Sequence, residues 1–253
     1  MIWHNEDIFG YFMQLSYMRK CNVADSFHWI ASGFKLYKKY FLIWTALLFC
    51  AGFCIHLVEK IPMVGQMAAQ AILPFLTACT CVSAENANKG VAPSFKTFFI
   101  GLDNWEVRRA LITLCCLNVL ITSGGLWVLG AIFDKLPVFS LSRQGIGENL
   151  RSVFMVIIPL AVIVIVWASA FFAPALVAID EHSPISALKF SLINTLRNLL
   201  TVFVFGILQC ILLFVGFLLF GVGLIFAGPI MYLSYYFCFR GLFDSPKLPI
   251  SLS

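Results

Sequence analysis

The fold is decided by residues 199–239, which read LLTVFVFGILQCILLFVGFLLFGVGLIFAGPIMYLSYYFCF and contain no Asp, Glu, Lys, Arg or His. A helix needs about 20 apolar residues to cross the hydrocarbon core of a bilayer, so this segment is long enough for two crossings. Gly221 and Gly223 lie near its middle, where glycine lets the chain reverse at little steric cost. The segment therefore predicts a tight helical hairpin inside a membrane.

The composition of the whole chain agrees with this hairpin. Hydrophobic residues make up 61% of the sequence, charged residues make up 11%, and the mean hydropathy is +0.93, all far from the values of soluble proteins. A chain of 253 residues has room for one membrane domain. The predicted spans cover residues 40–57, 62–82, 110–132, 153–178, 199–220 and 222–239.

These spans define an all-α integral membrane protein, with residues 26–243 as its six-span domain. Residues 1–25 are too polar to span and are predicted to be a surface or flexible segment, and residues 244–253 a short tail. No signal-peptide pattern is visible near the start, so we expect the first span to serve as the insertion signal.

A short amphipathic helix precedes each pair of spans, near residues 26–38, 94–102 and 184–196. In the first of these, Asp25-Ser26 is the predicted N-cap, because both residue types accept hydrogen bonds from the first turn of a helix. An apolar stripe follows at spacings of three and four, formed by Phe27, Ile30, Phe34, Tyr37 and Phe41. The chain is therefore predicted to fold as three hairpins, each introduced by a helix in the headgroup layer.

Lysine and arginine are distributed unequally between the two sides of this topology. Thirteen of the 17 lie in the termini and in the connections between spans 2 and 3 and spans 4 and 5, and four lie on the opposite side. The positive-inside rule then places both termini in the cytoplasm. The net charge of +5 needs no nucleic-acid partner, and the scattered histidines and cysteines predict no disulfide framework, metal site or cofactor.

Two sets of polar residues are candidates for function. Four amides fall inside the spans, and they either join helices by hydrogen bonds or line a substrate cavity: Gln66, Gln70, Asn118 and Gln209. Six basic residues fall at membrane boundaries, and they either set the topology or bind anionic lipids: Lys35, Lys38, Lys39, Arg108, Arg109 and Lys189. For both sets we favour the first interpretation.

A sequence pattern around span 4 has a structural interpretation of its own. Pro174 ends regular helical hydrogen bonding, Ser183 and Pro184 start a new helix, and Asn198 can bind freed backbone groups at the turn into span 5. The pattern consists of Trp167, Pro174, Ser183, Pro184, Ser191 and Asn198. We interpret it as a structural corner in preference to a ligand site.

The region that contains this pattern, residues 167–206, resembles a proteobacterial family of multi-pass inner-membrane proteins without assigned activity, and the resemblance extends over about residues 26–243. That family is similar to the YciC-like proteins and to the membrane domain attached to some glycerophosphodiester phosphodiesterases. The resemblance implies a helical six-span fold in the bacterial inner membrane, and it supplies no catalytic residue. Residues 1–25 depart from the family pattern.

Three hypotheses about function follow, in order of preference. The first is a non-enzymatic membrane protein that acts as a scaffold or partner for membrane lipids or other membrane proteins. The second is a transporter or lipid-handling protein with a cavity at the four amides. The third is a membrane enzyme, for which only Asp180, Glu181 and His182 offer clustered polar groups.

Overall fold

A computed structural model of the chain describes residues 19–62, 64–99, 104–133, 146–218 and 221–243, and no strand occurs among them. Their helices are α1 (Val23–Lys39), α2 (Phe41–Glu59), α3 (Gly65–Asn88), α4 (Phe95–Phe99), α5 (Trp105–Phe133), α6 (Ile146–Phe171), α7 (Ala173–Ile179), α8 (Pro184–Arg197), α9 (Leu199–Leu218) and α10 (Val222–Leu242). The predicted all-α fold class is confirmed.

Six segments of these described residues are long and apolar enough to cross a membrane. They lie in α2, α3, α5, α6 together with α7, α9 and α10. The predicted order is also present, because α1, α4 and α8 each precede a pair of such segments. The largest differences are at helix ends: α3 continues to Asn88, beyond the predicted residue 82, and α6 begins at Ile146, before the predicted residue 153.

The core of the bundle lies around α3, α7 and α10. Helix α3 packs against α2, α5, α7 and α10, and α10 also packs against α1 and α9. The short α7 is enclosed by α3, α5, α6 and α8, and residues 173–177 are all buried. The charged and polar groups described below are therefore held by a helix pair, α3 and α10, that contacts most of the bundle.

The α9–α10 hairpin reverses at Gly221, whose φ of 77° lies in the left-handed region that favours glycine. Beyond the turn the two helices approach closely, and a Cβ placed on Gly223 would lie 2.6 Å from the carbonyl oxygen of Gly216. Small residues at such crossings let helix backbones pack tightly in a membrane. The hairpin predicted from residues 199–239 is therefore present, with its reversal at the predicted glycine.

The part of the chain that packs in the bundle begins closer to the N-terminus than predicted. Helix α1 begins at Val23, and Asn22 occupies the N-cap position that the sequence suggested for Asp25-Ser26. The Asp25 carboxylate instead accepts a hydrogen bond from the Asn22 backbone N–H at 2.8 Å. The Arg19 backbone N–H donates to the carbonyl of Leu242 at 3.2 Å. Residues 19–25 therefore pack with the membrane domain, while residues 1–18 and 244–253 lie outside the described residues.

Helix α1 packs along α10 through a face that overlaps the predicted apolar stripe only in part. Its buried face contains Trp29, Gly33 and Leu36 together with Tyr37 of the stripe, whereas Phe27 and Phe34 of the stripe are exposed. Periodicity identifies the apolar face of a helix, but in a membrane such a face can pack equally well against lipid or against protein. The sequence therefore could not decide which of the two faces of α1 meets the bundle.

We call the end of the bundle where Arg19 meets Leu242 the terminal end. The last turns of α3 and α10 and the connection between α7 and α8 meet there. The turns between α2 and α3 and between α9 and α10 lie at the other ends of these helices.

Candidate functional site

A cavity of about 650 Å³ lies between α3, α5, α6, α9 and α10. Its wall is mainly apolar, with Pro74, Val166 and Phe205 among its lining residues. Leu73 and Ile163 also line the cavity and are themselves exposed on the outside of the bundle. The cavity therefore opens sideways, onto the surface that meets lipid hydrocarbon in a spanning bundle.

Three of the four predicted amides, Gln70, Asn118 and Gln209, line this one cavity. They come from α3, α5 and α9, so the tertiary structure brings together residues that are far apart in the chain. Gln66 is not among the lining residues and is exposed, which corrects the prediction that it faces into the bundle with Gln70. Gln66 lies in the first turn of α3, at the end of the helix, where neighbouring helices do not cover it.

Gln209 is the most buried of these amides, with 8% of its surface exposed. Its Nε2 donates a hydrogen bond to the backbone carbonyl of Met231 at 3.2 Å, which fixes the orientation of the amide. Its Oε1 is buried and accepts no hydrogen bond from any described residue. A buried acceptor without a donor costs about 1–3 kcal/mol, so this atom would be stabilised by any donor that can reach it.

The other polar groups around the cavity are less enclosed. Asn118 is half-buried, and its Oδ1 accepts a hydrogen bond from the Thr122 hydroxyl at 3.4 Å, within α5. Gln70 and the hydroxyl of Tyr232 make no hydrogen bond to a described residue. The cavity thus offers amide and hydroxyl groups that can both donate and accept.

Aromatic side chains form the part of the cavity wall that comes from α6, and they contact Tyr235 of α10. The Tyr235 hydroxyl donates a hydrogen bond to the backbone carbonyl of Phe171. The Phe171 ring packs against Trp167 at a centroid distance of 4.5 Å and against Tyr235 at 5.2 Å. Trp167 lines the cavity and is partly exposed. The sequence had suggested that this residue belongs to the structural corner.

The corner itself is a break between α6 and α7 that is bridged by Ser191 of α8. In an unbroken helix the Phe172 N–H would donate to the carbonyl of Ala168. Here the Ser191 Oγ lies between them, donating to Ala168 at 2.7 Å and accepting from Phe172 at 3.0 Å. Pro174, which has no N–H, follows at once. The hydroxyl therefore satisfies both backbone groups and joins α8 to the break.

Helix α8 begins where the sequence predicted. The Ser183 Oγ accepts a hydrogen bond from the Ser186 N–H, and Pro184 is the first helical residue. This arrangement satisfies a free donor of the first turn and places proline where no N–H is needed.

Asn198 closes the corner by binding two separate parts of the chain, residues 19–21 and Asn194. Its Oδ1 accepts from the Cys21 N–H at 2.8 Å, and its Nδ2 donates to the carbonyls of Arg19 and Asn194, each at 3.1 Å. Asn194 in turn donates from its Nδ2 to the carbonyl of Leu242 at 2.8 Å. Sequence analysis identified Asn198 but not its partners, because the backbone groups of residues 19–21 are 177 or more positions away.

A partly buried ion cluster at the terminal end was missed from the sequence. The Glu85 Oε2 accepts hydrogen bonds from the Tyr236 hydroxyl at 2.8 Å and from the Arg240 Nε at 2.7 Å. The Lys89 Nζ lies 2.9 Å from Glu85 Oε1, and the Arg240 Nη1 lies 3.7 Å from Asp180 Oδ1. The available signal was an acidic and a basic residue at the ends of two apolar spans, since such groups are paired when buried.

The three residues considered for an enzyme do not converge. Asp180 lies beside Arg240 in the ion cluster. Glu181 and His182 both line a cleft next to Arg109, where Glu181 is exposed and the ring of His182 packs on Phe190 at a centroid distance of 5.2 Å. Burial lowers the pKa of His182, which favours its neutral form. The arrangement therefore does not bring these three side chains to one reacting centre.

The six basic residues suggested for lipid contact are all exposed. Arg108 lies over the Trp105 ring at 5.0 Å, and Lys39 lies over the Tyr40 ring at the same distance. Arg109 lines a second cleft of about 410 Å³, together with His182. The exposed set is Lys35, Lys38, Lys39, Arg108, Arg109 and Lys189.

The strongest candidate site is therefore the lateral cavity, because it combines volume, an apolar wall and an unsatisfied acceptor at Gln209. The described residues give no comparable constellation of reactive groups for catalysis, and they contain no group of three metal-ligating side chains. Comparison of the chain with protein-family models, curated proteins and solved structures found no match.

Proposed function

We propose that this chain is a non-enzymatic protein of the bacterial inner membrane that binds a lipid-like molecule in the cavity between its spans. The single observation that favours this function is the convergence of Gln70, Asn118 and Gln209 on one cavity of about 650 Å³. Small-molecule sites usually have about 300–1,000 Å³, an apolar wall and a few polar groups that orient the ligand. The cavity has each of these properties.

The side opening favours a ligand that arrives from the bilayer. An apolar molecule dissolved among the lipid chains can reach Leu73 and Ile163 without passing through water. The protein would then hold or hand over such a molecule, as a lipid-handling protein or as part of a transport system. The unequal distribution of lysine and arginine supports cytoplasmic termini, and the resemblance around span 4 supports a bacterial inner membrane.

The test is to fill the cavity. Gly206 lines it and has no atom within 4 Å of the position of a Cβ, so Gly206→Phe adds a ring without a backbone clash. Gly52→Phe is the matched control, since Gly52 is exposed on α2 and is equally open. Both variants and the parent chain would be placed in phospholipid nanodiscs with a long-chain hydrocarbon probe that carries a photoreactive diazirine.

We expect the probe to label peptides of α3, α5 and α9 in the parent chain and in Gly52→Phe. Labelling of these peptides should fall severalfold in Gly206→Phe, because the added ring occupies cavity volume beside Gln209 that a chain would otherwise fill. Equal labelling of all three proteins would show that the probe reports bulk lipid around the bundle, and the proposal would fail.

The second candidate is a scaffold or partner that binds the anionic surface of the membrane. It is favoured by the exposure of the basic residues of α1, namely Lys35, Lys38 and Lys39. Each lysine or arginine near an anionic surface contributes about 1 kcal/mol. A variant with all three changed to glutamine should retain fewer phosphatidylglycerol molecules in native mass spectrometry. Unchanged retention would exclude this contact.

A further inference from the structure

We propose that the ligand of the cavity is an uncharged amphiphile whose polar head is a hydroxyl or amide group that donates a hydrogen bond to Gln209. This inference rests on the proposed function and specifies the chemical class of the ligand. Fatty alcohols, acylglycerols and N-acyl amides belong to this class, whereas fatty acids and phospholipids do not. A plain hydrocarbon can enter the cavity but lacks the polar head, so it should bind more weakly.

The need for a donor follows from the amide of Gln209. One N–H of its Nε2 donates to the Met231 carbonyl, so the amide cannot be turned over without losing that bond. The remaining Oε1 is an acceptor only, and it has no donor among the described residues. A ligand group that donates removes the cost of this unsatisfied atom, and a group that only accepts does not.

The uncharged character follows from the rest of the lining. Among its described lining residues the cavity has amide and hydroxyl groups but no Asp, Glu, Lys, Arg or His. A charged head buried among apolar side chains needs an opposite charge close by, and dipoles alone compensate it poorly. The cluster of charges around Glu85 and Arg240 contributes no lining residue and is already paired within itself.

The surroundings of Gln209 also require that the ligand has an apolar body. Gln209 is joined to α10 through Met231, and the wall around it contains Val166, Phe205 and Phe171. A small polar molecule such as glycerol would leave this wall in contact with polar atoms. A molecule with a chain lets the apolar wall contact hydrocarbon while its head meets the amide.

The experiment compares three photoreactive probes with the same 16-carbon chain: an alcohol, its methyl ether and the corresponding carboxylic acid. The full chain is used in phospholipid nanodiscs at pH 8, and labelling of the cavity peptides is measured by mass spectrometry. We expect the alcohol to label about fivefold more than the ether, which corresponds to one net hydrogen bond. The ionised acid should label less than the alcohol as well.

Gln209→Met tests the assignment to one side chain, because methionine has a similar length and no strong acceptor. The alcohol should lose its preference over the ether in this variant, while the ether labels as before. Gln66→Met is the matched control, since Gln66 is exposed and outside the cavity, and it should keep the full preference. The parent-chain ratio tests the proposal even if a variant folds poorly.

Two failures can be told apart. If the parent chain labels equally with alcohol and ether, or if Gln209→Met keeps the preference, the ligand class is wrong although the cavity still binds lipid. If Gly206→Phe labels like the parent chain with every probe, the cavity does not bind lipid at all. Stronger labelling by the acid than by the alcohol would also overturn the uncharged class.

Discussion

Arg240 binds Glu85 through two of its nitrogens, with Nε and Nη2 each 2.7 Å from the same carboxylate oxygen. The two residues are 155 positions apart and join the last turns of α10 and α3. Both side chains are largely buried, with 19% and 14% of their surface exposed. The pair therefore connects the two helices that contact most of the bundle, at the end where residues 19–21 also attach.

Glu85→Gln should lower the free energy of unfolding by about 2–3 kcal/mol, since it leaves a mostly buried Arg240 short of negative charge. The expected loss is smaller than for a fully buried pair because water still reaches both side chains. Unfolding by SDS in mixed micelles would measure it. Glu59→Gln is the control, because Glu59 is half exposed and should change stability by less than about 0.5 kcal/mol. Equal effects of the two variants would contradict a structural role for the pair.

Ser191→Ala should destabilise the fold by about 1–3 kcal/mol, because it leaves the Phe172 N–H and the Ala168 carbonyl without their bridging hydroxyl. Ser183→Ala removes only an exposed helix cap and should cost about 1 kcal/mol. Thermal unfolding of both variants in the same detergent gives the comparison. A smaller effect for Ser191 than for Ser183 would show that the break in α6 does not depend on the inserted hydroxyl.

Gly33→Ala should destabilise the packing of α1 on α10 by about 1–3 kcal/mol. A Cβ at this position would lie 2.6 Å from the backbone nitrogen of Ser234, so the two helices would have to separate. Gly52→Ala makes the same change on an open helix face and should be neutral or stabilising by up to about 1 kcal/mol, since alanine is the better helix former. The stabilities of Gly33→Ala and Gly52→Ala, measured by SDS titration, should therefore change in opposite directions, or Gly33→Ala should be clearly the less stable of the two. Identical values would contradict the close approach of α1 and α10.

Asn198→Ala should release residues 19–21 from the bundle, because Asn198 holds both the Cys21 N–H and the Arg19 carbonyl. Burial raises the pKa of the Cys21 thiol, with a smaller contribution from Asp25, so this thiol should react slowly in the parent chain. Reaction of Cys21 with a membrane-impermeant maleimide, followed by mass spectrometry, should become about tenfold faster if local opening becomes easier by about 1.4 kcal/mol.

Asn104→Ala is the control for this labelling, since Asn104 is exposed and, among the described residues, its side chain bonds only within its own turn. It should leave the Cys21 rate unchanged. A parent chain whose Cys21 already reacts at the rate of a free thiol would show that residues 19–21 are not held by Asn198.

Much of the candidate site was accessible from the sequence because its members are unusual residues in apolar spans. An amide in hydrocarbon needs a partner, so Gln70, Asn118 and Gln209 could be singled out without coordinates. Their meeting at one cavity depends on how α3, α5 and α9 pack, which no local pattern reports. Gln66 shows the limit of the local argument, since it shares a helix face with Gln70 and yet lies at an uncovered helix end.

The sequence alone determined the spans, the reversal at Gly221 and the corner at Pro174, because apolar length and the backbone limits of glycine and proline are local properties. Only the tertiary structure decided which face of α1 meets protein, and that Glu85 meets Arg240. The physical reason is that lipid chains and a protein interior are equally apolar. Hydropathy therefore cannot distinguish a helix face that packs on protein from a helix face that is exposed to lipid. Pairings across the bundle depend on the relative positions of helices, and those positions are set by the packing of the whole chain.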